Sequence, residues 1–243
     1  MIENWNERTN LLLGDEAMER LRQAHVLVVG VGGVGAYATE MMTRAGVGTI
    51  TIVDADDINA SNINRQLPAL HSTIDKSKVE VLAHRLLDIN PDLKIDARQV
   101  YLRDDLIADL LDEVKPDFVV DAIDTIAPKI SLIAETTRHK LPLISSMGAG
   151  AKRDITKIQF AKLKDTYHCG LSRQVRKRLK KLGINHQNMM VVFSSEAPDS
   201  KALLKVENEE NKKTTCGTIS YMPAVFGCFL AEYVIRKLTT PKE

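Results

Sequence analysis

Five short stretches of this 243-residue chain hold the residue types that phosphate and nucleotide chemistry uses. Gly30-Val31-Gly32-Gly33-Val34-Gly35 satisfies G-x-G-x-x-G, directly after an apolar run and at the start of a helical pattern. Absent side chains let backbone N–H groups approach a phosphate, and a helix N-terminus favours negative charge. Asp54 stands 19 residues past Gly35, at the end of a second strand-like run. A carboxylate there accepts hydrogen bonds from ribose hydroxyls. Ser61-Asn62-Ile63-Asn64-Arg65-Gln66 comes next, Lys78 opens a helical pattern, and Asp121-Ala122-Ile123-Asp124 closes another strand. A dinucleotide oxidoreductase needs the glycines and a hydride-transfer site, whereas a triphosphate also needs several cations and a metal-binding carboxylate. The chain offers the second set. A dehydrogenase reading leaves Arg65, Lys78 and Asp124 without roles, and a ligand-free βα turn leaves the register of strand, glycines and Asp54 unused.

These side chains act together only if the fold brings them to one edge. Residues 25–30 (HVLVVG) form a continuous apolar run of buried parallel-strand type, followed by a helical pattern over 34–44. Strand signals follow at 48–54, 93–99, 118–121 and 143–146, alternating with helical patterns at 76–90 (stopped by Pro91), 104–114 and 128–139. The alternation predicts an α/β, Rossmann-like fold: a mostly parallel sheet with helices on both faces and right-handed crossovers. Ligands of such sheets lie beyond the carboxyl ends of the strands, where all five stretches are expected to fall. Past Gly148 the rhythm breaks into an irregular C-terminal extension. It contains a strand at 158–161, a basic helix at 171–182 and a strand at 190–194. A polar segment at 197–215 reads as a mobile loop, and a final helix at 223–238 packs back on the core. Residues 1–150 thus read as the nucleotide-binding half and 151–243 as the extension. The boundary rests on composition alone, and one continuous domain stays open.

Composition narrows the class. At 44% apolar and 27% charged the chain is ordinary globular protein. Three cysteines, none in a CxxC pair, build neither a disulfide framework nor a four-cysteine zinc site, which points to a reducing compartment. The N-terminus has no apolar core of a signal peptide, and the longest apolar stretch, 221–235, falls short of the roughly 20 residues that span a bilayer. Cytoplasmic location without membrane insertion follows as the expectation. The net charge of +1 hides an uneven distribution: residues 150–183 hold eleven Lys/Arg against two Asp/Glu. Six cations crowd L-S-R-Q-V-R-K-R-L-K-K, with apolar contacts expected from Leu171, Val175, Leu179 and Leu182. A solvated amphipathic helix is the plain reading of such a run; a phosphate-backbone contact is the functional one.

V-G-V-G-G-V-G, I-V-D-A-D-D-I, S-N-I-N-R-Q, Lys78 and D-A-I-D resemble, in order and spacing, the ThiF/MoeB/HesA family of ATP-dependent adenylating enzymes, relatives of the ubiquitin-activating enzymes. That resemblance covers Arg8 to about Gly150. The D-A-I-D-T-I-A-P-K and I-S-S-M-G-A-G segments, the basic helix and the cysteine-poor C-terminal half resemble one branch more closely, the tRNA threonylcarbamoyladenosine dehydratases. The resemblance implies that Gly30, Gly32, Gly33 and Gly35 hold the α-phosphate, Asp54 the ribose, and Asn62, Arg65, Gln66 and Lys78 the triphosphate of ATP. It implies Mg²⁺ on Asp124, with Asp121 as the alternative. It also implies a homodimer in which Arg8 reaches the partner's ATP, although related chains often carry a second arginine where this one has Trp5.

The activity so implied is ATP-dependent cyclisation of N6-threonylcarbamoyladenosine in tRNA through adenylation of its carboxylate, with the basic helix on the RNA and DNA not involved. The alternatives are an adenylating enzyme for a ubiquitin-like sulfur carrier and a non-catalytic adaptor of a cysteine-desulfurase relay. The MoeB and ThiF branches carry paired CxxC zinc motifs, which this chain lacks, so a structural zinc is not expected. Cys216, in T-T-C-G-T, occupies a position that the branch links to sulfur-relay or desulfurase partners. An unreactive thiol in a turn is preferred, because the cyclisation needs no protein nucleophile. Cys228, among apolar helix residues, reads as core.

Overall fold

The computed structural model describes residues 5–205 and 214–240. The chain runs α1 (Glu7–Leu13), α2 (Asp15–Gln23), β1 (His25–Val29), α3 (Gly35–Ala45), β2 (Thr49–Val53), α4 (Lys78–Ile89), β3 (Lys94–Arg98), α5 (Asp104–Val114), β4 (Phe118–Asp121), α6 (Ile126–Arg138), β5 (Leu143–Ser146), β6 (Ile158–Lys162), α7 (Gly170–Lys181), β7 (Met190–Ser194), β8 (Leu203–Lys205), β9 (Thr214–Cys216) and α8 (Tyr221–Thr239). Seven strands form one sheet in the order β3-β2-β1-β4-β5-β7-β6. All its pairings are parallel except β6 with β7, so β6 closes the edge antiparallel. The strand order reverses between β1 and β4, which opens a crevice beyond their carboxyl ends.

Apolar runs in β1 and β4 stem from burial on both faces. Val26 and Val28 pack with α2, α3, α4 and α8 in one cluster, while the alternate residues Leu27 and Val29 pack with α5 and α6 in another. A third cluster sets α7 against α6 and β7 through Val175 and Leu179. The β6 and β7 strands, from past residue 150, extend the same sheet.

Three expectations need correction. Cys228 is exposed, because the buried positions of α8 follow the helical period at 222, 226, 230 and 234 and residue 228 points half a turn away. Leu182 follows the last turn of α7 and is 54% exposed, so it makes no core contact. The polar segment from 197 carries regular structure at both ends, β8 paired antiparallel with β9. It is tied to the body by Asp199 N–H on the Ala151 carbonyl and Ala151 N–H on the Gly217 carbonyl, each at 2.8 Å. Residues 206–213 of that segment lie outside the described residues. Helix α1 was not legible, since it has no buried residue and hence no apolar stripe, whereas α2 buries a short one at Ala17, Met18 and Leu21.

Candidate functional site

A cavity of about 630 Å³ opens at the crevice, within the range of small-molecule sites. It takes residues from the loops after strands β1 to β5, and from the loop before α8. Of the sequence-derived candidates, Gly30, Gly32, Gly33, Asp54, Asn62 and Arg65 line it, as do Gln66, Lys78 and Asp124. Gly35 and Arg8 do not.

The glycine loop is built by close backbone approach. Gly30 has φ +87°, and a Cβ there would sit 2.9 Å from the Ala122 carbonyl oxygen. A Cβ on Gly35 would fall 1.8 Å from the Gly30 carbonyl oxygen, so Gly35 is packed behind the loop. The loop leads into α3, whose N-terminus has no side-chain cap and no acidic residue in its first turn. That leaves a positive helix end facing the cavity.

Asp54 braces the loop from β2: its Oδ2 accepts from Val31 N–H at 2.8 Å and its Oδ1 from Asp56 N–H at 2.9 Å. Burial pushes its carboxyl above the usual aspartate range, against the opposing pull of Lys78 and of those two backbone donors. Lys78, at the first turn of α4, is buried, with Nζ 2.7 Å from Asp56 Oδ2 and 4.0 Å from Asp54 Oδ1. Asp56 was not singled out in the sequence; nothing but its two-residue spacing from Asp54 marks it.

Asn62 ends a single 3-10 turn (Ala60–Asn62) and accepts Asn59 N–H on its side-chain oxygen at 3.1 Å. Its carbonyl accepts the backbone N–H of both Arg65 and Gln66, which aims those side chains into the cavity. Arg65 Nη1 donates to the Ser61 carbonyl and to Asn64 Oδ1, both at 2.9 Å. The Gln66 side-chain oxygen is buried without a hydrogen-bond partner, and its amide faces Gly32. An unmet polar atom in a cavity wall is a place for a ligand group. Val100, Tyr101 and Leu102, after β3, supply an apolar wall that the sequence pattern did not reveal. An apolar triplet in a loop was the only signal.

Asp121, the alternative metal ligand, is wholly buried and does not line the cavity. Its Oδ2 is held 2.5 Å from Lys129 Nζ. Asp124, three residues on, is exposed in the cavity wall. Among the described residues no group of three or more His, Cys, Asp or Glu side chains is disposed to hold a metal ion. A cation at Asp124 therefore needs ligand oxygens as well, the mode Mg²⁺ adopts with phosphates. Cys216 lies at the rim, its Cβ 2.7 Å from where a side chain on Gly150 would begin.

The ThiF family pattern matches residues 6–243. The chain belongs to the ThiF family. Within it, the tRNA threonylcarbamoyladenosine dehydratase of Bacillus subtilis is 37% identical over 238 residues, covering 95% of this chain and 93% of that protein. A ThiF-family relative of another kind, the molybdopterin-synthase adenylyltransferase of Salmonella typhimurium, is 34% identical over 154 residues, or 63% of this chain and 61% of its own. The crystal structure of the Escherichia coli dehydratase TcdA in complex with ATP superposes with a TM-score of 0.87 at 33% identity, covering 96% of this chain and 93% of that one. The mostly parallel seven-stranded sheet is thus the family's fold.

Proposed function

We propose that this chain is an ATP-dependent tRNA threonylcarbamoyladenosine dehydratase. The observation that carries the reading is the convergence of Arg65, Lys78, Asp54 and Asp124 on one cavity in a chain similar from end to end to dehydratases, one of them solved with ATP. The uncapped α3 N-terminus and the open side of Gly32 fit a nucleotide phosphate chain. Asp124 would hold Mg²⁺, which supplies neutralisation of phosphate charge. The threonine carboxylate of the modified adenosine attacks the α-phosphorus, and pyrophosphate leaves. The ureido nitrogen of the same group then attacks the activated carbonyl, loses its proton, expels AMP and closes the ring. Arg65 and Lys78 stabilise the charge that develops on the phosphate oxygens, and the tethered nucleophile removes any need for a covalent enzyme intermediate. Cytoplasmic action on tRNA belongs to the same reading. No helix among the described residues is long and apolar enough to cross a membrane.

The test is mass analysis of nucleosides from tRNA bearing the modification after incubation with protein, ATP and Mg²⁺. Loss of one water from the modified adenosine, with AMP and pyrophosphate released, is the expected result. ATP binding without AMP release overturns the assignment.

Asp54 makes nucleotide affinity depend on pH. Its raised pKa means that protonation begins at a higher pH than in an ordinary aspartate, and the protonated acid accepts ribose hydroxyls poorly. ATP affinity should weaken as pH falls into that window, and Asp54→Asn should flatten the dependence; calorimetry at a series of pH values reads both.

Two macromolecular contacts extend the proposal. Arg8 is exposed on α1 beside Trp5, Leu11 and Leu12, of which the last two are 79% and 82% exposed; a second copy of the chain covering α1 brings Arg8 to the partner's cavity. In α7, Leu171 lines the cavity, and the exposed Arg173, Lys177 and Lys181 form a stripe at helical spacing on another face of the same helix. Arg176 is turned inward, donating to the carbonyls of Leu163 and Thr166, and is no free cation. The stripe is assigned to the tRNA backbone. Replacing Arg173, Lys177 and Lys181 together by alanine should raise KM for tRNA at least about tenfold and reduce the salt slope of binding by about 2–3, with ATP affinity unchanged. An unchanged salt slope would remove α7 from the interface.

A further inference from the structure

Lys129 is among the largest wholly buried side chains of the described residues, and the nucleotide chemistry above gives it no task. Its Nζ donates to Asp121 Oδ2 at 2.5 Å and to Ser145 Oγ at 3.1 Å, and Ser145 Oγ donates to the same carboxylate oxygen at 2.5 Å. All three residues have no exposed surface. Asp121 and Ser145 are register partners at the carboxyl ends of β4 and β5, and Lys129 reaches them from the first turn of α6. A lysine near a helix N-terminus works against the helix dipole, and a buried ion pair is a poor source of net stability compared with apolar packing. This ion pair is therefore better explained by what it holds in place.

Three cavity segments hang from it. The other oxygen of Asp121 accepts Ile123 N–H at 3.1 Å, which fixes the loop that carries Asp124 one residue later. Ser145 is followed by Ser146, Met147 and Gly148 on the cavity wall. The carbonyl of Ala122, next to Asp121, is the surface against which the tight turn at Gly30 closes.

We infer that Lys129 is a positioning residue: clamped between Asp121 and Ser145, it sets the 122–125 loop so that Asp124 meets the nucleotide. The inference rests on the dehydratase reading. It predicts that Lys129 and Asp124 act as one unit.

The experiment uses the full chain with Lys129→Met, Asp124→Ala and both together, following thermal unfolding, ATP affinity by calorimetry, and kcat and KM for ATP with saturating modified tRNA. Lys129→Met should lower kcat at least tenfold in protein that is still folded, with ATP affinity changed less than threefold. In the Asp124→Ala background the same substitution should lower kcat less than twofold further. Multiplying effects in the double variant, or an unchanged kcat in Lys129→Met, overturns the inference. Should Lys129→Met fail to fold, Ser145→Ala decides. It removes the two hydrogen bonds that Ser145 makes in the clamp while leaving the ion pair, and should lower kcat about threefold only where Asp124 is present; an equal loss in both backgrounds, or none in either, overturns the inference. If the wild type neither binds ATP nor turns over, the dehydratase reading itself fails, which is a separate outcome.

Discussion

Lys78→Met should lower turnover about a hundredfold to a thousandfold, the scale on which a fixed charge at a developing oxyanion acts. The same substitution should destabilise the protein and shift its pH response. Lys78 is buried between two carboxylates, Asp56 at 2.7 Å and Asp54 at 4.0 Å. Removing one partner of a buried ion pair can cost about 3–5 kcal/mol, but Asp56 is 69% exposed and water takes over much of its solvation. A loss of about 1–3 kcal/mol, or roughly 2–12 °C in Tm, is the expected size. Lys78 opposes the upward push of burial on Asp54, so its loss raises the Asp54 carboxyl further. A carboxyl raised on folding binds its proton more tightly in the native than in the unfolded chain. Its contribution is therefore favourable below the unfolded pKa and disappears as pH rises through the folded one. The destabilisation by Lys78→Met should accordingly shrink in acid and be largest at neutral pH. Melts of wild type and variant across that range, with ATP turnover alongside, check both halves. A variant that melts like wild type at every pH would show that Lys78 is not holding the two carboxylates.

The legible part of the molecule was the part with a period. Strands buried on both faces read as unbroken apolar runs, and helices between them as stripes, so β1 to β5 and α3 to α6 stand where the pattern put them to within two residues. The glycine loop, Asp54, Arg65, Lys78 and Asp124 were legible because each follows or opens one of those elements. What the sequence concealed has no period. Asp56 is a polar loop residue whose importance comes from a partner across space, Lys78. The apolar run in α8 hid which residues face out, and Cys228 was misplaced for that reason. Asp121 reads in the sequence as the alternative metal ligand, and nothing there marks Lys129, eight residues on, as its partner. Only the parallel pairing of β4 with β5 shows that both are enclosed.

The glycines of the fingerprint separate by substitution into those that serve packing and those that serve the ligand. Gly35→Ala should be among the most damaging single methyls in the chain. Its Cβ falls 1.8 Å from the Gly30 carbonyl oxygen, 2.9 Å from the Gly30 carbonyl carbon and 3.1 Å from Ala122 Cβ, so the Gly30 backbone and a neighbouring side chain must move. Overpacking against flexible side chains costs about 1–3 kcal/mol. Here the neighbour is a backbone turn that is itself pressed against Ala122, and a loss above about 3 kcal/mol follows, or a fall in Tm of about 6–12 °C or more. Gly32→Ala is the opposite case. Its Cβ meets nothing nearer than the Gln66 amide at 3.5 Å, an ordinary contact, so Tm should stay within about 2 °C of wild type. That Cβ nevertheless stands in the space a phosphate would enter, between the α3 N-terminus and Gln66, and ATP affinity should fall at least about tenfold. Paired melting curves and calorimetric titrations of the two variants read both effects. If Gly32→Ala binds ATP as wild type does, the nucleotide does not approach the backbone at that point; if Gly35→Ala melts as wild type does, the turn from β1 into α3 is looser than its contacts require.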